Sequence, residues 1–388
     1  MKEGQYMDCR SFCEKYYVDR KNTDCIKWDN PNIKDKLPMF IADMDFKCNE
    51  KIVDCMRNRI EHGAYGYSFL PKDYYDTVIK WNKKRNKVTF KKEWFAFSKG
   101  AVDGIYQVLY ALTKSKDAIL ITDPVYPPFA ASVKKTGRTL VTSRLKAKDG
   151  LYTFDYEDIE KKIKEKKVKM LILCSPHNPL GRVWTKDELA KLFKLTHKYH
   201  VLVLSDEVHS DLIMPGYKFV QSLSFKEYQD DIITIIAASK TFSLAIYNHC
   251  HVIIPNRKLK AKFDKYQDQN HLAPVNVISA YPTYFGYKYS EEWLDDLIQV
   301  INENYKYFCS RLSKYVEILP LQGTYLLFVN FKKYTNNAYK FLDEKCNIVP
   351  NAGETFAKGY DSWARINIAT SLDNIKLACD RIEKALTK

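Results

Sequence analysis

Four apolar runs in the middle of the chain constrain the fold more than any other feature. Ala118 to Ile121, Met170 to Cys174, Val201 to Leu204 and Ile232 to Ala238 are each of strand length. Each breaks off into polar or turn residues: Thr122-Asp123-Pro124, Ser175-Pro176, Ser205-Asp206-Glu207 and Ser239-Lys240. Unbroken apolar character suits strands covered on both faces, as in a parallel sheet between helices. Amphipathic stretches separate the runs. The clearest is Thr185 to Tyr199, where Thr185 and Glu188 form a capping-box pair and Leu189, Leu192, Phe193 and Thr196 fall on one side. The alternation reads as βα units around a mainly parallel sheet, so the fold class is α/β.

The pattern changes after about residue 285. A long helical stretch from Glu291 to Tyr315 is followed by strand-like Thr324 to Phe331, a helix near Asn337 to Lys345, a second strand at Ala364 to Ala369 and a final helix. That is a smaller α+β domain. No repeat, low-complexity segment or Gly/Ser linker separates it from what precedes, so the domains are expected to pack together.

A chain of 388 residues with 46% hydrophobic content can bury a core without disulfides or a structural metal. Its ten cysteines include no C-x-x-C pair, and Met1-Lys2-Glu3-Gly4 opens a charged stretch with no secretory h-region. A reducing cytoplasm is the expected compartment. The apolar runs are far shorter than a bilayer span, so no membrane segment is expected. The net charge of +15 raises nucleic acid as a partner, but lysines are spread through the chain and mixed with glutamates, as in Lys161 to Lys169. Without an aromatic-interleaved basic stripe or zinc-finger spacing, neither nucleic-acid binding nor a metal site is predicted.

In a parallel sheet the ligand sits at the carboxyl ends of the strands, which makes the polar strand ends the candidates for chemistry. Lys240 follows an apolar strand that would deliver its amine to a partly desolvated place, where a lowered pKa makes it a nucleophile for carbonyls. Asp206 ends another strand, and a buried carboxylate there requires a cationic partner. A pyridoxal phosphate cofactor offers a pyridinium nitrogen for such an acid, an aldehyde for a lysine and a phenolic oxygen for a donor such as the Asn178 amide. Ser98 to Gly104, before a helix, suits a phosphate, and Tyr126 could stack on the ring. Arg365 shares a strand face with Asn367, opposite Ala364, Ile366 and Ile368, and suits bidentate capture of a carboxylate. Each has a plainer alternative: one more exposed lysine, an Asn-Pro turn, a core tyrosine, a surface salt bridge.

Taken together, these segments resemble the aspartate aminotransferase-like (fold type I) superfamily of pyridoxal phosphate enzymes. Within it they resemble the MalY- and PatB-type cystathionine β-lyase/C–S lyase branch. The strings that carry the resemblance run in family order: Ile41 to Phe46 (IADMDF), Tyr65-Gly66-Tyr67, Asp123 to Tyr126, Ser175 to Trp184 (SPHNPLGRVW), Ser205 to Asp211 (SDEVHSD), Ser239 to Phe242 (SKTF) and Arg365 to Ala369. The branch rests mainly on ADMDF, on His177 in PHNP and on His209. The sequence departs from the branch at Met39-Phe40, at Ser243 to Ile246 and at Phe356-Ala357, all expected to border cofactor or substrate.

The resemblance implies a seven-stranded type of sheet in a large domain over 46–285, and a small domain made of 286–388 with the segment 1–45. It implies that Lys240 holds the cofactor and serves as acid and base, that Asp206 partners the pyridine nitrogen and that Asn178 partners the phenolic oxygen. Tyr126 stacks on the ring and joins Lys240 and Asp206 in the catalytic set, while Ala101, Val102 and Ser239 hold the phosphate. Tyr67 reaches the phosphate of the neighbouring subunit of a homodimer. His209 orients nearby groups, with a satisfied buried histidine as the alternative, and Arg365 and Ala42 contact substrate. The implied reaction is α,β-elimination of cystathionine or another cysteine S-conjugate to pyruvate, ammonia and a thiol. An aminotransferase using the same residues, or a regulatory protein retaining the fold, are the alternatives.

Overall fold

The four apolar runs lie side by side as parallel strands in a seven-stranded sheet of the computed structural model, which describes residues 6–33, 35–148, 150–272 and 275–387. In chain order the strands are β1 (Phe95–Ser98), β2 (Ala118–Asp123), β3 (Thr139–Arg144), β4 (Met170–Cys174), β5 (Leu202–Asp206), β6 (Ile232–Ile236) and β7 (Cys250–Ile253). Their spatial order is β1-β7-β6-β5-β4-β2-β3. The five from β6 to β3 pair in parallel, whereas β7 runs antiparallel to both β6 and β1. Leu171 and Leu173 of β4 enter one core cluster, and Met170, Ile172 and Cys174 enter the other. Both faces of the sheet are therefore covered, which is why these strands read as unbroken apolar runs.

Two strand ends differ from the sequence reading, in opposite directions. β5 continues through Ser205 and Asp206, because Ser205 Oγ is satisfied in the interior by the Glu207 carboxylate and the Ser222 hydroxyl. β6 stops at Ile236, so Lys240 stands in a turn four residues beyond it. The helix α1 (Ala101–Leu112) starts within the Ser98 to Gly104 stretch rather than after it, and fills the connection from β1 to β2. The helix α2 (Lys186–Lys198) carries the predicted capping box, with Thr185 and Glu188 bonding each other's backbone N–H.

The C-terminal part forms a second, antiparallel sheet. Its strands are β8 (Glu317–Ile318), β9 (Leu326–Asn330), β10 (Asn351–Ala352) and β11 (Trp363–Asn367), in the order β8-β9-β11-β10. The helices α3 (Glu291–Leu312), α4 (Ala338–Cys346) and α5 (Leu372–Leu386) accompany it. The N-terminal stretch joins this part: Leu37–Pro38 pairs in parallel with Ile348–Val349, and the Asp45 N–H donates to the Ala369 carbonyl. Arg365 and Asn367 are buried along with the rest of the strand, so the face they share is an interior one. Asn367 Nδ2 donates to the carbonyls of Ile41 and Asp43, so the N-terminal stretch covers that face. Among the described residues no helix is long and apolar enough to cross a membrane.

Candidate active site

A cavity of 540 Å³ opens at the carboxyl ends of β4, β5 and β6, where a parallel sheet places its ligands. Ala42, Ala101, Val102, Tyr126, Asn178, Asp206, His209, Ser239, Lys240 and Arg365 all line it. Of the site residues expected from the sequence, only Tyr67 is absent from the lining. It is fully exposed elsewhere on the chain, at a relative accessibility of 111%.

Asp206 is the last residue of β5 and is 5% exposed. Burial raises its carboxyl to about 6, with the Val208 N–H and the Lys240 ammonium acting the other way. Oδ1 accepts from the Val208 N–H at 3.2 Å. Lys240 Nζ donates to the Ala42 carbonyl at 2.6 Å. Burial lowers the amine's pKa, opposed by Asp43, reinforced by Arg365 and opposed again by Asp206. The exposed-lysine alternative therefore does not hold, and Ala42 meets the lysine through its backbone.

Arg365 is buried, which excludes the surface salt bridge. Nη1 donates to Asn178 Oδ1 at 2.9 Å and Nη2 to Asn351 Oδ1 at 2.6 Å, while the Phe356 ring lies 5.0 Å from the guanidinium carbon. Asn178 is thus oriented by its oxygen, which leaves its amide N–H groups for another partner. The Ser175-Pro176 and Asn178-Pro179 bonds on either side of this turn are cis. Tyr126 packs edge-on against Phe129 at 6.0 Å, and burial followed by Asp206 raises its phenol. His209 is buried and its pKa is lowered to about 3, first by burial and then by Lys240 and Arg365. Its Nδ1 has no hydrogen-bond partner, so it is not the satisfied core histidine of the alternative reading.

The loop into α1 supplies the remaining wall. Gly100 caps the helix at φ +125°, a conformation that favours glycine, and no side chain caps the helix start. The first N–H groups of α1 are left for an anion. Three observations therefore fit pyridoxal phosphate: a buried carboxylate able to meet a cationic ring nitrogen, a desolvated amine, and uncapped N–H groups beside a glycine at positive φ.

The sequence reading missed Asn351, Thr355, Asn248 and His249, which also line the cavity. Asparagine and histidine carry no local signal without a partner, and the partners come from other strands. Of the residues that depart from the branch, Phe40 is on the lining, whereas Ser243, Ile246 and Ala357 are not, and their neighbours Ala245 and Phe356 line the cavity instead.

A mainly parallel seven-stranded sheet with a lysine, a carboxylate and an arginine converging at its strand ends defines a protein of the aminotransferase fold. The chain belongs to the aminotransferase class I and II family, whose model matches residues 60–382. It is 32% identical over 381 residues to the cystathionine β-lyase PatB of Bacillus subtilis, covering 95% of this chain and 98% of that protein. It is 24% identical to MalY of Escherichia coli, covering 90% and 92%. Among solved structures it matches cystalysin of Treponema denticola, which contains a pyridoxal 5'-phosphate cofactor, with a TM-score of 0.90 at 33% identity over 95% and 97%. It also matches the pyridoxal phosphate-bound C–S lyase of Staphylococcus hominis, with a TM-score of 0.89 at 29% identity over 96% and 97%.

Proposed function

We propose that the chain is a pyridoxal 5'-phosphate-dependent C–S β-lyase that converts cystathionine or a related cysteine S-conjugate, with water, to pyruvate, ammonia and a thiol. The observation that carries the reaction type is the full-length similarity to PatB, together with that to the C–S lyase structures. When bound, the cofactor supplies an electron sink for the charge that develops at the substrate Cα.

The chain's own residues do the rest. Lys240 Nζ holds the cofactor and then carries the proton taken from Cα, at an amine that burial favours in its unprotonated form. Asp206 faces the ring nitrogen, Asn178 offers its amide to the phenolic oxygen, and Tyr126 stacks on the ring. Ser239 and the α1 N–H groups at Ala101 and Val102 receive the phosphate, and His209 orients the groups around it. Arg365 takes the substrate carboxylate with its fork held by Asn178 and Asn351. Tyr67 completes the site of a second copy, which makes the active unit a homodimer. A cytoplasmic setting accords with ten cysteines of which none is in a disulfide. The large domain is assigned to 46–285 and the small one to 286–388 with 1–45.

The test is turnover of cystathionine with no added 2-oxo acid. Pyruvate and thiol should appear for many turnovers. An aminotransferase would stop after about one turnover per site and resume on addition of 2-oxoglutarate, because its cofactor must be returned by an acceptor.

A further inference from the structure

Two of the strings along the chain hold a residue that the proposed chemistry leaves unused: Asp211 ends SDEVHSD, and Thr241 follows Lys240 in SKTF. The structure brings the two together. Thr241 Oγ1 donates to Asp211 Oδ2 at 2.9 Å, and Trp81 Nε1, on the helix Tyr74–Asn86, donates to Asp211 Oδ1 at 2.9 Å. Thr241 is wholly buried and Asp211 is 6% exposed. Neither side chain lines the cavity.

Their bond ties together the two connections that carry the site. β5 and β6 run side by side with Asp206 opposite Ile235, and beyond these residues the chain leaves the sheet. Asp211 comes five residues after Asp206 and Thr241 five after Ile236, so His209 and Lys240 lie between the strand pairing and the Asp211–Thr241 bond. The Phe242 N–H donates to the Ala238 carbonyl and the Leu244 N–H to the Ser239 carbonyl, bonds that shape the Lys240 turn without attaching it to its surroundings. The Asp211 connection is attached. The Leu212 carbonyl accepts from the Thr324 N–H at 2.8 Å, and Ile213 bridges to Gly323.

The chemistry of the pair makes the tie directional. An ionised carboxylate only accepts, so the Thr241 hydroxyl must donate, and its proton has one place to point. Threonine is stiff at χ1, so fixing Oγ1 fixes the backbone of the residue next to Lys240. Burial raises the Asp211 carboxyl, with Arg85, Trp81 and Thr241 acting the other way. A carboxylate kept inside against that cost is a poor way to fill space, which an apolar side chain would do as well.

We infer that Asp211 is a positioning residue for Lys240, setting through the Thr241 hydroxyl where the turn holds the lysine relative to Asp206. The inference rests on the reading above, in which Lys240 holds the cofactor.

The test uses protein loaded with pyridoxal 5'-phosphate, and cystathionine as substrate. Thr241→Val keeps the branched shape and removes the donor. It should lower kcat about ten- to hundredfold, the effect of a misplaced reacting group, while KM moves less than about twofold because Arg365 is untouched. The circular dichroism of the bound cofactor's visible band should change as well, at unchanged cofactor content, since it reports how the lysine holds the ring. Thr241→Ser, which returns the hydroxyl, should recover most of both. Asp211→Ala should match Thr241→Val in kcat, and the double variant should lose no more than Asp211→Ala alone, because both changes remove one bond. If Asp211→Ala fails to fold, the valine and serine pair decides. A wild-type kcat in Thr241→Val, a KM that rises as kcat falls, unaltered dichroism, serine no better than valine, or losses that multiply in the double variant would each overturn the assignment. A wild-type protein that gains no visible band with pyridoxal 5'-phosphate would instead overturn the cofactor reading.

Discussion

Nη1 of Arg365 donates to Oδ1 of Asn178 at 2.9 Å, joining β11 to a turn 187 positions earlier in the chain. The bond couples the two proposed functions of the site, since the residue proposed to face the cofactor's phenolic oxygen also aims the guanidinium. Burial pulls Arg365 down to about 10, and its Nε has no partner among the described residues. A buried guanidinium held only by neutral oxygens and an aromatic face is prepared for an anion.

Arg365→Lys should therefore raise the KM for cystathionine about ten- to hundredfold while lowering kcat much less, because a point charge replaces a two-pronged donor. Steady-state kinetics at saturating cofactor measure it. An unchanged KM would move the carboxylate site elsewhere.

Asp206 links the site to pH. An aspartate with an ordinary value of 3.8 and a folded value of about 6 disfavours folding whenever it is ionised. The penalty is complete above the folded value, fades as pH falls between the two, and vanishes below 3.8, where both states are protonated. The displacement amounts to up to about 3 kcal/mol. Cofactor-free Asp206→Asn should thus melt higher than wild type at about pH 8, with the advantage closing toward about pH 4. The same variant should bind the cofactor more weakly, since the ring nitrogen loses its anion. A constant melting difference across that range would remove the carboxylate from this role.

Lys27 and Asp45 form a salt bridge of 2.8 Å with both side chains 1% exposed. Asp45 also accepts from Trp28 Nε1 at 2.8 Å, and its backbone N–H is tied to Ala369. The pair fixes the stretch whose Ala42 carbonyl holds Lys240. Lys27→Met leaves a buried carboxylate without its cation and should cost about 3–5 kcal/mol in denaturant unfolding. Replacing both residues with apolar ones should recover much of the loss. Equal losses in the single and double variants would show that the charge pair is not what fixes the stretch.

What the sequence revealed, and what it concealed, follows from how far apart the partners lie. β2, β4, β5 and β6 were legible because each is an apolar run with its polar end attached, and that same polar end carried Asp206 and led to Lys240. β3 lies at the sheet edge with Thr139 and Arg144 exposed, so it has no comparable run. β7 begins within Asn248 to His251, where two histidines mask a strand that is wholly buried. Arg365 was recognisable as a candidate, but its clamp was not, since Asn351 and Asn178 reach it from another strand and from the other sheet. Ser205 and Thr234 show the reverse case, polar residues inside the buried strands β5 and β6, where polarity did not mark an end.

Tyr67 is the proposed site residue that does not line the cavity of the single chain. Tyr65, Tyr67 and Phe69 are exposed along one irregular stretch, at 64%, 111% and 95%, which is a large apolar surface for a chain to leave in water. A second copy covering it would set Tyr67 against the neighbouring phosphate. Lys240→Ala and Tyr67→Phe should each be impaired alone, because each subunit then lacks one half of every site. Unfolding the two together and refolding them should produce heterodimers in which the Lys240 of one subunit meets the Tyr67 of the other. Random pairing makes half the dimers mixed, with one complete site each, so activity should return to about a quarter of the wild-type value. The recovery should be absent when the variants are refolded separately and then combined without exchange. No recovery on joint refolding, or full activity in a species that sediments as a monomer, would place Tyr67 outside the site.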